Sequence, residues 1–93
     1  MTTAIKPKFP LGRVVITANA RETLGHDDVL QALARHAGGD WGDLCQADRQ
    51  ENEFSLDKRL RLLSAYHAAA GTKFWIITEA DRSATTILLP EDY

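Results

Sequence analysis

The sequence predicts a small single α+β domain, with two to three N-terminal helices packed on a three- to four-stranded antiparallel sheet that ends in a C-terminal meander. Lys73-Phe74-Trp75-Ile76-Ile77-Thr78 and Ala84-Thr85-Thr86-Ile87-Leu88-Leu89 are rich in β-branched and aromatic residues and flank the polar turn Glu79–Ser83, a hairpin signature. Val29, Leu30, Leu33, Ala34 and Ala37 recur at helical spacing before Gly38-Gly39, so a helix precedes the sheet. A chain of 93 residues, 44% of them hydrophobic, leaves room for one domain only and needs nearly every apolar run in its core.

The elements follow in order. Pro7 and Pro10 bracket Phe9, so residues 1–12 read as an extended arm and residues 13–93 as the domain. Arg13-Val14-Val15-Ile16-Thr17 is a short β-branched strand. Asn19 with Glu22 three positions on suggests one helical turn closing at Gly25. Asp27 caps the second helix. In Gly39-Asp40-Trp41-Gly42 two glycines permit a tight connection, and Trp41 supplies area to pin it. Asp43 with Gln46 then opens a third, acidic helix to Leu56, with Phe54 and Leu56 ending it against the core. The stretch from Leu60 to Ala70 fits a helix by Leu60, Leu63, His67 and Ala70, and a strand by the alternation of Leu62, Ser64 and Tyr66; periodicity alone leaves both open.

Charge and composition limit the function. No run approaches the roughly 20 apolar residues of a membrane span. A single cysteine, Cys45, forms no intrachain disulfide, and no apolar leader opens the chain; both point to the cytoplasm. Cys45 reads as a small, partly buried thiol. The formal net charge of −2 offers no global field for nucleic acid. The charges are unevenly placed: Lys6, Lys8 and Arg13 face no acid in the first 13 residues, while residues 40–57 hold six acids against Arg49 alone. His26, His36, His67 and Cys45 lack metal-ligand spacing, so neither metal nor cofactor is implied. His36, near a helix end, reads as a cation complementing the helix dipole.

Gly39-Asp40-Trp41-Gly42, Leu62-Leu63-Ser64-Ala65-Tyr66, Trp75-Ile76-Ile77-Thr78-Glu79-Ala80-Asp81-Arg82-Ser83 and Thr85-Thr86-Ile87-Leu88-Leu89-Pro90 with Tyr93 resemble a family of small bacterial proteins. Its members occur on plasmids, phages and mobile chromosomal regions and are sometimes labelled plasmid-related or as subunit M of a type I restriction enzyme. The resemblance covers about residues 10–93 and implies that Ser64-Ala65-Tyr66 is a strand paired with Trp75-Ile76-Ile77. The meander then runs through 60–67, 73–79 and 84–89, with strand 13–17 at an edge and the helices on one face. A methyltransferase is excluded on the residues: the chain has no Pro-Pro pair and no Gly-rich loop after a strand.

Two functions follow as expectations. The first is a non-enzymatic accessory or interaction protein of mobile genetic elements. It would bind another macromolecule, protein before nucleic acid, through a sheet face or the Trp41 loop, with Asp40, Trp41, Asp81, Arg82 and Thr86 as contacts. The alternative is a small metal-independent ribonuclease of toxin type. His67 and Glu79 would be its acid–base pair and Arg82 its phosphate-stabilising cation, converging at one end of the meander.

Overall fold

A computed structural model describes residues 7–93. The chain order is β1 (Arg13–Ile16), α1 (Ala18–Thr23), α2 (His26–Ala37), α3 (Gln46–Lys58), β2 (Leu62–His67), β3 (Lys73–Thr78), β4 (Ala84–Leu88) and a 3-10 turn, Pro90–Asp92. The strands form one sheet in the order β1-β4-β3-β2. Antiparallel registers pair Tyr66 with Phe74, Ser64 with Ile76 and Ile76 with Ile87, as the meander requires.

The expectation of an all-antiparallel sheet is corrected. β1 lies at the edge but runs parallel to β4, with Val14 beside Thr85 and Ile16 beside Ile87. The connection explains this. Three helices separate β1 from β2, and a helical crossover returns the chain to the end from which β1 started. Two successive hairpins then leave β4 pointing the same way. The 60–70 ambiguity resolves as a strand ending at His67, with Gly71 at φ 96° in the return.

Alternation divides the sheet into two faces. Val14, Ile16, Leu62, Ser64, Tyr66, Phe74, Ile76, Thr78, Thr85 and Ile87 share the face under α1 and α2. There Ala20, Leu24 and Ala32 pack with Tyr66, Phe74, Ile76 and Ile87, with Val29 and Leu33 against them. A second cluster joins Phe9, Trp41 and Leu62, with Leu11, Leu44 and Leu56 at its margin. Phe9 and Leu11 thus tie residues 7–12 to the core. The rest of the expected arm, residues 1–6, lies outside the described residues.

Helix ends differ from expectation in detail. Thr17, not Asn19, caps α1 by accepting from the Ala20 N–H at 3.2 Å. Gly25 precedes α2, and Cys45 sits at the start of α3. Cys45 is exposed, not partly buried. Phe54 is 53% exposed, so of the two residues expected to end α3 against the core only Leu56 packs there.

α3 does not lie on a sheet face; it closes the outer edge of β2. The Asn52 amide donates to the Leu63 carbonyl at 2.5 Å and accepts from the Leu63 N–H at 3.2 Å, as a neighbouring strand would. Two residues along, Asp43 N–H donates to the Ala65 carbonyl and Ala65 N–H to the Trp41 carbonyl. Gly42 is needed there: it has φ 76°, and a Cβ would collide with the Ala65 carbonyl and the Tyr66 ring. Replacing Asn52 by Ala leaves two β2 backbone groups without partners and is expected to lower stability by about 2 kcal/mol. Urea denaturation checks this; an unchanged midpoint would show that Asn52 does not hold this edge.

Candidate functional site

One buried polar group joins a helix to the sheet: His36. It is fully buried, on the face of α2 that meets the sheet. Its Nδ1 lies 2.5 Å from Ser64 Oγ and its Nε2 2.8 Å from Thr78 Oγ1. Thr78 Oγ1 lies 2.7 Å from Thr85 Oγ1, which donates to the Leu11 carbonyl at 2.7 Å. That carbonyl can only accept, and this sets the polarity of the whole chain. Thr85 spends its proton on Leu11, so Thr78 donates to Thr85 and His36 Nε2–H donates to Thr78. Nε2 therefore carries the proton of the neutral ring, and in that form Nδ1 accepts from Ser64. Burial pushes its pKa down to about 4, and the Arg82 guanidinium adds to the shift. The expected dipole-capping cation is corrected: His36 is an uncharged joint between α2, three strands and residue 11.

The residues expected to form a binding loop act mainly as anchors. Trp41 is 4% exposed. It stacks on Phe9, meets His36 edge-on and donates Nε1–H to Glu53 at 2.7 Å. Asp40 receives Arg35 at 2.8 and 3.3 Å and the Gly42 N–H at 3.1 Å; the Arg35 bond holds its carboxyl below the usual range. Tyr66, whose phenol burial raises, donates to the Asp40 carbonyl at 2.6 Å. Arg82, at φ 60°, turns inward and donates to the carbonyls of Leu60, Glu79 and Ser55. Asp81 accepts from the Ser83 N–H at 3.0 Å inside the turn. Thr86 sits beside Val15 and Ile77, half-buried on the other sheet face.

The ribonuclease set is not brought together. Glu79 and Arg82 share one turn, but His67 pairs with Lys73 while Leu62 pairs with Thr78. Five residue steps along β2 place His67 roughly 17 Å from that turn. His67 contacts Asp43 at 2.6 Å, and Glu79 faces Arg61 at 3.9 Å. Among the described residues, no group of three His, Cys, Asp or Glu is placed to hold a metal ion.

A run of three exposed apolar residues lies elsewhere, at β1. Val14, Val15 and Ile16 are 44, 39 and 36% exposed. Arg13 and Thr17 send their N–H groups to Ser83 and Ile87. The alternating backbone groups of Val14 and Ile16 therefore point away from β4, and no described residue pairs with them. Beside this edge runs an open groove of about 320 Å³, walled by Val14, Ile16, Leu24, Val29, Leu33 and Ile87, with Arg21 and His26 at the lining. Sequence reasoning placed β1 at an edge and missed its exposure. The available signal was the unbroken apolar run Val14-Val15-Ile16, where a half-solvated strand alternates.

No family model, curated protein or solved structure matches this chain.

The His36 network predicts a pH dependence of known sign. The unfolded chain takes up this proton near pH 6.5 and the folded one only near 4. Between these values the unfolded state binds more protons, so stability falls as the pH drops from about 6.5 to about 4, by roughly 3 kcal/mol. Above 6.5 the group adds no slope. Asp40, Asp81 and Asp92 are held below 3.8, so their contributions are lost only at lower pH. Urea titrations in this window are expected to show the slope in the native chain and a flatter one in His36→Gln. Equal slopes would refute the assignment.

Proposed function

We propose that this protein is a non-catalytic interaction protein, which binds another macromolecule through the β1 edge, left unpaired by the described residues, and the groove beside it. The contrast between the two sheet edges carries the reading. The β2 edge is closed by Asn52 and by residues 41–43. The β1 edge keeps three consecutive apolar residues in solvent and two outward-facing backbone pairs. Apart from its brevity, β1 has none of the usual protection of an edge strand: no proline, no bulge, and one charge, Arg13, at its end. An added strand would satisfy its backbone and cover its side chains together.

Protein is favoured over nucleic acid by the same chemistry. The groove is apolar, the net charge is −2, and nucleic-acid binding draws on clustered cations. A setting on mobile genetic elements and in the cytoplasm is part of the proposal, supported by the sequence resemblance and by cysteine usage. A photo-crosslinking residue at Val15 is expected to yield a protein adduct of discrete mass in cells, with none from the same probe at the solvated Glu51 of α3. Absence of a Val15 adduct, or an adduct to RNA, would overturn the reading. Purified protein is expected to leave total RNA intact; cleavage lost in both His67→Ala and Arg82→Ala would also overturn it.

A further inference from the structure

Resting on that reading of the β1 edge, we propose that its occupant is a second copy of this chain, added antiparallel about a two-fold axis at Val15. The outward backbone groups limit the register. Val14 and Ile16 must pair with Val14 or Ile16 of the other copy for both sets of groups to meet. Centring on Val14 would recruit Gly12, whose φ of 65° is not extended. Centring on Ile16 would recruit Ala18, the first residue of α1. Only pairing Val14 with the other copy's Ile16, and Val15 with its own counterpart, engages both residues of both strands. This gives four backbone hydrogen bonds and one eight-stranded sheet.

Side chains support the same register. Residues directly opposite in an antiparallel pair project to the same face. Val14 and Ile16 of each copy therefore reach the groove side of the other and cover its open apolar flank. On the opposite face Arg13 falls across from Thr17 of the second copy. The Thr17 hydroxyl donates to Asp92 Oδ2 at 2.6 Å, and Asn19 donates to Asp92 Oδ1 at 2.8 Å, so a fixed carboxylate waits at that end. Arg13 has no ion-pair partner among the described residues. The two-fold makes this complementarity twice, Arg13 to Asp92 in each direction, and puts no like charges opposite one another. The contact is isologous and closes at two copies.

Sedimentation equilibrium of the purified full chain at tens of micromolar tests this. The expected mass is twice 10.3 kDa. Val15→Lys places two ammonium groups at the axis on a side chain already in solvent, and is expected to weaken association at least tenfold with an unchanged far-ultraviolet spectrum. Arg13→Asp, outside any packed contact, is expected to weaken it as well, and added salt to do the same to the native chain. A native chain of monomer mass throughout, or a Val15→Lys variant that associates as before, would overturn the proposal. A monomeric chain whose Val15 probe captures a different protein would overturn the second copy as occupant while leaving the interaction function standing; no Val15 adduct of any kind would overturn both.

Discussion

Burying an imidazole with no ion pair demands that both ring nitrogens find neutral partners, and that demand organises this molecule. His36 meets it by drawing a hydroxyl from β2, one from β3 and, through it, one from β4, with the Leu11 carbonyl as the terminal acceptor. An incompletely paired polar chain in a dry interior would be destabilising, so the arrangement works only as a complete set. Ser64, Thr78 and Thr85 occupy positions that an ordinary sheet would fill with aliphatic side chains. Phe9 and Trp41 close around the ring. Helix, sheet and leading segment are thereby held in one relative position without a charge in the core.

The position of α2 set by this joint decides what its neighbours cover. α1 and α2 roof the sheet over β3 and β4 and bury Ile76 and Ile87, but stop short of β1, leaving the groove at its flank. α3, reached through the clamped loop 39–43, serves the other edge. A sheet with one edge closed by a side-chain amide and the other left apolar is asymmetric in what it offers a partner. The open groove beside β1 is a consequence of where the helices end.

The polar and aromatic residues that stand out in the sequence were absorbed in building this frame. Arg82 gathers the ends of α3, the β3–β4 turn and the Leu60 carbonyl. Trp41 and Tyr66 hold the loop that closes β2. In a chain of 93 residues the core is small enough that conspicuous side chains are needed as fasteners. The apolar edge left exposed is made of plain valine and isoleucine.

Local chemistry determined much of this protein. The β-branched runs, the turn at Glu79–Ser83 and the helical spacing that ends at Gly38-Gly39 follow from backbone preferences and side-chain periodicity, which act over a few residues. Periodicity alone left 60–70 open, and the expected strand at 60–67 and the edge position of β1 rested on the sequence resemblance. What neighbouring residues cannot express was decided only by the tertiary structure. The parallel sense of β1 depends on where three helices return the chain. The neutral state of His36 depends on hydroxyls 28 and 42 residues away. The separation of His67 from Glu79 depends on the β2–β3 register. The exposure of Val14 and Ile16 depends on helices that fail to reach them. Each is a relation between distant segments, fixed when burial and hydrogen bonding are satisfied across the whole molecule at once.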